Sequence, residues 1–182
     1  IAAWSLRPAR GAKISMFIVA GAPAHSSFKK TQLLSRLASI SSVQSFDSQW
    51  VYLFDQALSE QQHQSALQLL NDGEIFELRQ VSDDEIQILV TPRVGTISPW
   101  SSKATDIFKN CNVPVHRLER GILYTLKGIP EVSADVKLAL HDRMTESVFA
   151  QIEDAQALFN ETAPKPLNSI DILGQGKEAL VK

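Results

Sequence analysis

Apolar and polar positions alternate with two different periods along this chain, and the periods divide it into strands and helices. Phe17-Ile18-Val19-Ala20 is a short apolar strand closed by Gly21 and Pro23. Ser26 or Ser27 then caps a helix with Leu33, Leu34, Leu37 and Ala38 on one face and Lys29, Lys30 and Arg36 toward water. After a polar, Ser-rich connection over residues 41–48, the β-branched and aromatic run from Trp50 to Phe54 predicts a strand. Ser59 and Gln62 have capping-box spacing, opening a helix that carries Ala66, Leu67, Leu69 and Leu70 and stops at Asn71-Asp72-Gly73.

The second half repeats this plan at offsets of about 70 residues. Ile86, Ile88 and Val90 alternate with Gln87, Leu89 and Thr91, and Pro92 and Gly95 end that strand. Ser98 is placed as an N-cap with Pro99 at the first helical position, and Trp100, Ala104, Ile107, Phe108 and Cys111 repeat at helical spacing. A strand over residues 115–127 follows, and then a long helix from Ser133 carrying Leu140, Met144, Val148, Ile152, Ala155 and Leu158. Ala163-Pro164-Lys165-Pro166 breaks it and marks a boundary.

Charge and composition then narrow the function classes. With 18 basic and 20 acidic residues the chain has no broad basic field, so neither nucleic acid nor an anionic membrane is an expected partner. The single cysteine makes no internal disulfide, and no apolar run reaches the roughly 20 residues that span a bilayer, which together predict a cytoplasmic location. His25, His63, His116 and His141 do not form metal-ligand spacing with Cys111, so no metal site is expected. Cys111 itself reads as a packed thiol, and His141-Asp142-Arg143 as a surface network, so no catalytic residue is assigned.

Two places carry candidate chemistry. Arg93, Thr96 and Ser98 in the loop, with Ser101, Ser102 and Lys103 in the first helical turn, lie where free amides and the helix dipole favour an anion. The same residues also suit simple capping, and neither the P-loop nor the dinucleotide glycine motif occurs. In the strand after that helix, Arg120 shares a face with Leu118, Ile122, Tyr124 and Leu126. An inward guanidinium needs a partner, which is either a local carboxylate such as Glu119 or Asp106, or a ligand or neighbouring domain. Gly121 beside it allows close backbone approach or a bulge.

The runs TPRVGTISPWSSKATDIFKNC, HRLERG, LHDRMTESVF and SIDILGQGKEAL, in this order, resemble the N-terminal region of the large, single-chain phosphoribosylformylglycinamidine synthases, also called formylglycinamide ribonucleotide amidotransferases. The resemblance runs from about Met16 to Lys182. It implies residues 1–15 as an extension outside the domain, with a targeting leader as the other reading. Residues 16–163 would be an N-terminal auxiliary domain, and residues 164–182 the start of a linker domain.

The family's reaction combines formylglycinamide ribonucleotide, glutamine and ATP in purine synthesis. ATP phosphorylates the formamide oxygen and ammonia then attacks the activated carbon. The resemblance assigns ATP and magnesium, the glutaminase and the synthetase to other parts of the polypeptide, with no cofactor in this one. It also supports an α+β fold of pseudo-duplicated strand–helix units forming a mostly antiparallel sheet with helices packed on it. Arg93, Thr96, Ser98, Ser101, Ser102, Lys103 and Arg120 are the implied contacts with the synthetase and glutaminase domains or the ribonucleotide. A standalone assembly subunit and a small anion-binding domain are the alternatives.

Overall fold

The computed structural model describes residues 16–160 and Gly174. Its elements are β1 (Phe17–Pro23), α1 (Ser27–Ile40), β2 (Ser45–Phe54), α2 (Glu60–Asn71), β3 (Glu85–Pro92), α3 (Pro99–Asn110), β4 (Leu118–Lys127), α4 (Ala134–Leu140) and β5 (Glu146–Phe149), followed by a 3-10 helix (Glu153–Phe159). The sheet has the order β1-β2-β4-β3-β5, and every pairing in it is antiparallel. Two successive strand–helix–strand–helix units therefore meet at the central β2–β4 ladder, where Ser45 faces Lys127 and Phe54 faces Leu118 without interruption. This is the expected α+β duplication.

Local chemistry sets the helix ends. Ser26, Ser59, Ser98 and Ser133 each accept a first-turn amide, satisfying donors that a helix N-terminus leaves free. The capping box is complete at Ser59 and Gln62. Helix α2 stops where Asp72 and Gly73 take positive φ, as the Asn-Asp-Gly signal predicts.

The helices cover one face of the sheet in two groups. Leu37 of α1 and Val136 and Leu140 of α4 pack on Phe46, Ile88, Val90, Tyr124 and Leu126. Ala66 of α2 and Ala104 and Phe108 of α3 pack on Val19, Phe54 and Leu118, with Phe54 meeting both Phe17 and Phe108 edge-on or tilted. On the opposite face, Val51, Leu53, Leu89 and Leu123 are covered by Ala155 and Leu158 of the 3-10 helix.

Several expectations are corrected. The long helix from Ser133 ends at Leu140, and the residues assigned to its stripe are spread over α4, a turn, β5 and the 3-10 helix with its N-cap Ile152. Met144 is 75% exposed in a turn, Val148 faces Val90 across the β3–β5 ladder, and Ala155 and Leu158 lie in the 3-10 helix. The Asp142 carboxylate accepts the Met144 amide and the Glu146 carboxylate accepts the Asp142 amide, so side chains capture amides that helix continuation would need. The free edge of β3 then pairs with residues 146–149.

Helix α3 is rotated from its expected stripe. It buries Ser101, Ala104, Thr105 and Phe108, whereas Ile107 and Cys111 are exposed, so Cys111 is not a packed thiol. The cause is hydroxyl chemistry. The Ser101 hydroxyl donates to the Leu118 carbonyl at 2.5 Å, and the Thr105 hydroxyl accepts the Leu118 amide at 3.4 Å. These bonds satisfy the start of β4, so the polar stripe is the one that docks.

Smaller differences follow the same logic. β1 continues to Pro23, β2 begins at Ser45, and β4 begins at Leu118 rather than 115. Ala38 is exposed, and Lys30 pairs with Asp47 instead of pointing freely to water. The extension at 1–15 and, apart from Gly174, the linker from 164 lie outside the described residues, as does the Ala163–Pro166 boundary.

Candidate functional site

The loop between β3 and α3 is tied down by one buried carboxylate. Glu119 of β4 has no exposed surface. It accepts the Ser98 hydroxyl at 2.7 Å, the Ser98 amide at 3.4 Å and the Arg120 amide at 3.1 Å, and it lies 3.4 Å from the Arg117 guanidinium. Arg117 also donates to the carbonyls of Thr96 and Leu158, joining the loop to the end of the 3-10 helix, and its guanidinium lies over the Phe159 ring. A negative group near the N-terminus of α3 was expected from the helix dipole; the chain supplies it from within.

The candidate residues consequently separate. Arg93, Thr96, Ser102 and Lys103 are exposed, Ser98 is half-buried and Ser101 is buried. The Thr96 hydroxyl donates to the Arg93 carbonyl at 2.6 Å, closing the turn at Gly95, while an Arg93 guanidinium nitrogen approaches the Met144 carbonyl at 3.5 Å. Ser98 and Ser101 serve Glu119 and Leu118 as described, and the Ser102 hydroxyl returns to the Ser98 carbonyl. The structure thus brings the loop hydroxyls into the protein's own hydrogen bonds and leaves the Lys103 ammonium facing outward.

Arg120 occupies a different place. It pairs with Tyr52 across the β2–β4 ladder, on the helix-bearing face. Its Cζ lies 4.7 Å from the centre of the Trp50 ring and 5.0 Å from that of Trp100, and Trp100 stacks on Tyr52 at 5.9 Å with 23° between the rings. Of the two kinds of partner left open for Arg120, the local ion pair is not formed: strand alternation carries Glu119 to the other side, and no described carboxylate bonds the Arg120 guanidinium. Trp50, Tyr52, Arg120, Ile122 and Trp100 are all half-exposed, forming a strip between the two helix groups.

The sequence reading missed Trp50 and Trp100 as partners and Glu119 as the loop's anchor. Glu119 had a legible signal, because in Arg117-Leu118-Glu119-Arg120 it shares strand parity with Arg117 and not with Arg120.

At the other end of the strip, a ring nitrogen of His25 lies 2.9 Å from the Tyr124 hydroxyl. Burial pushes the Tyr124 hydroxyl pKa up, with Glu146 adding to it, and burial raises Tyr52 while the nearby Arg120 opposes. Burial holds His25 below its ordinary value of 6.5, with the Lys29 ammonium lowering it further. Below pH 6.5 the unfolded chain binds the His25 proton before the folded one does, so the contribution of His25 to stability is present above that pH and lost on acidification. We expect the urea midpoint to fall between pH 7.5 and 5.5, and the fall to shrink in His25→Gln. An identical pH profile for both proteins would exclude His25 as its source.

Among the described residues, no helix is long and apolar enough to cross a membrane, and no group of three or more His, Cys, Asp or Glu side chains is placed to hold a metal ion. Cys111 is the C-cap of α3 and is exposed. The hydroxyls of the loop between β3 and α3 are largely engaged within the domain. Residues 49–159 match the family of formylglycinamide ribonucleotide amidotransferase N-terminal domains. That match spans more than half of the chain, and it places this fold in a multidomain enzyme of purine biosynthesis. The chain therefore belongs to the formylglycinamide ribonucleotide amidotransferase N-terminal family.

Proposed function

We propose that this domain packs on the synthetase and glutaminase parts of the same amidotransferase, helps enclose the ribonucleotide site and helps couple ammonia release to ammonia use, without catalysing a step itself. The family match is the observation that carries this reading. In this reading ATP and magnesium act in other parts of the cytoplasmic ligase.

Coupling has a physical rationale. Ammonia released to water is protonated at neutral pH and lost as a nucleophile, so a closed assembly preserves it. The exposed Arg93, Ser102 and Lys103 can be altered with little effect on the fold, as surface substitutions usually cost within 0.5 kcal/mol. In the intact amidotransferase, the triple alanine variant is expected to hydrolyse several-fold more glutamine per product formed while keeping ammonia-dependent synthesis. Unchanged glutamine coupling and unchanged ribonucleotide affinity would count against the proposal.

A further inference from the structure

Among the described residues, the strip between the helix groups contains a cation with no anion. Arg120 is half-buried, and among the described residues its guanidinium makes no ion pair and no hydrogen bond. Its contacts are the indoles of Trp50 and Trp100. A ring meets the positive charge, but it cannot accept the fork of N–H donors that a guanidinium carries in its plane. Those donors are the part of Arg120 still seeking an acceptor, and a planar carboxylate matches them two to two.

The surroundings indicate the kind of partner. Trp, Tyr and Arg are the residue types that dominate protein–protein hot spots, because each offers large contact area together with a polar group. Trp50, Tyr52, Trp100 and Arg120 come together here from two strands and a helix. Phe28, in the first turn of α1, is 78% exposed, and it stands two residues after its cap as Trp100 does after Ser98. Trp100 lies on Tyr52, whereas the corresponding tyrosine of the second unit, Tyr124, is bonded to His25.

We infer that the Trp50–Arg120–Trp100 strip is a docking surface for an acidic side chain, an Asp or Glu, presented by the part of the amidotransferase that follows this domain. The inference rests on the interdomain reading above and specifies its chemistry. Charge complementarity selects this occupant: a partly desolvated guanidinium gains most from a bidentate carboxylate, and the family places a protein partner in the same polypeptide. Docking would remove the remaining water from the two indoles and strengthen the pair.

The test uses the intact amidotransferase with a specific protease site introduced after Asn160. After cleavage, gel filtration across protein concentration and salt reports whether the N-terminal chain stays bound. The wild-type pieces are expected to co-elute, with release growing as salt rises. Arg120→Met should weaken retention at least tenfold and flatten its salt dependence. Arg120→Lys should fall between the two, since it keeps the charge but loses the fork.

Circular dichroism melting of each variant separates lost docking from lost folding, and Lys109→Met, which removes an exposed cation in the last turn of α3 outside the strip, should retain like wild type. Equal retention by folded Arg120→Met and wild type would overturn the inference while leaving the interdomain reading intact. Release of the wild-type chain itself at every concentration would overturn both.

Discussion

Replacing Glu119 with alanine is expected to destabilise the fold by about 3–5 kcal/mol, the usual cost of removing one partner from a buried charged network. The carboxylate is fully buried and serves two backbone amides, a hydroxyl and a guanidinium. Truncation would leave the Ser98 amide without its carboxylate acceptor and Arg117 without its anion. One Arg117 nitrogen, Nε, is already buried without a partner. The loss should be read first at the loop, because Ser98 is both the cap of α3 and the last residue before it. Glu119→Gln keeps the shape and one acceptor, so it should cost distinctly less. Equilibrium urea unfolding of the three proteins checks this order, and a Glu119→Ala midpoint within error of wild type would show that the network contributes little.

The same substitution bears on function through position. Glu119 and Arg120 are adjacent on β4 and differ in their surroundings: Glu119 meets Arg117 inside the domain, and Arg120 lies against the indoles of Trp50 and Trp100. A folded Glu119 variant with a loosened loop should therefore keep the Trp50–Arg120 contact. An Arg120 variant should keep the loop. Amide exchange over residues 93–98 distinguishes the two, since protection there follows the Glu119 bonds and not the indole stack.

What could be read from the sequence follows the distance over which the information is local. Strand β3 and the start of α3 were legible because Ile86, Ile88 and Val90 set a period of two, and Ser98 with Pro99 sets a helix start within a few residues. The capping box at Ser59 and the stop at Asp72–Gly73 are equally local. The region after Leu140 misled because Met144, Val148, Ile152 and Ala155 happen to recur at three and four residues, while their structure is decided by Asp142, Glu146 and the open edge of β3. Arg120 was legible as an inward-facing cation from strand parity. Its partners were not, because Trp50 and Trp100 are each 20 or more residues away and are brought together only by the β2–β4 ladder and the docking of α3. The loop serines show a third kind of limit: capping and anion binding use the same side chains, and the acceptors that engage Ser98 and Ser101, the Glu119 carboxylate and the Leu118 carbonyl, come from β4.

Gly121→Ala is the substitution that best separates backbone packing from backbone flexibility at this site. A Cβ at Gly121 would lie 2.8 Å from the Val90 carbonyl oxygen, 2.9 Å from Leu89 Cδ1 and 3.0 Å from Thr91 Cγ2. The nearest atom belongs to the backbone of β3, which cannot withdraw without stretching the β3–β4 ladder. Gly121 is thus a close-approach glycine, and the β2–β4 register runs through it with no bulge. Overpacking of this kind costs about 2–3 kcal/mol. Gly95 gives the contrast: its φ is +83°, but a Cβ there meets nothing within 4 Å, so alanine should cost only about 1–2 kcal/mol, from the left-handed conformation alone. The two variants should also differ in where the structure opens. In Gly121→Ala, amide exchange should quicken along the seam at Ile88, Val90, Ile122 and Tyr124, and the shift of β4 should carry Arg120 off the indoles of Trp50 and Trp100. In Gly95→Ala the faster exchange should stay within the loop. If Gly121→Ala unfolds at the wild-type urea concentration, the strands can separate without penalty, and the placement of Arg120 does not depend on a tight β3–β4 seam.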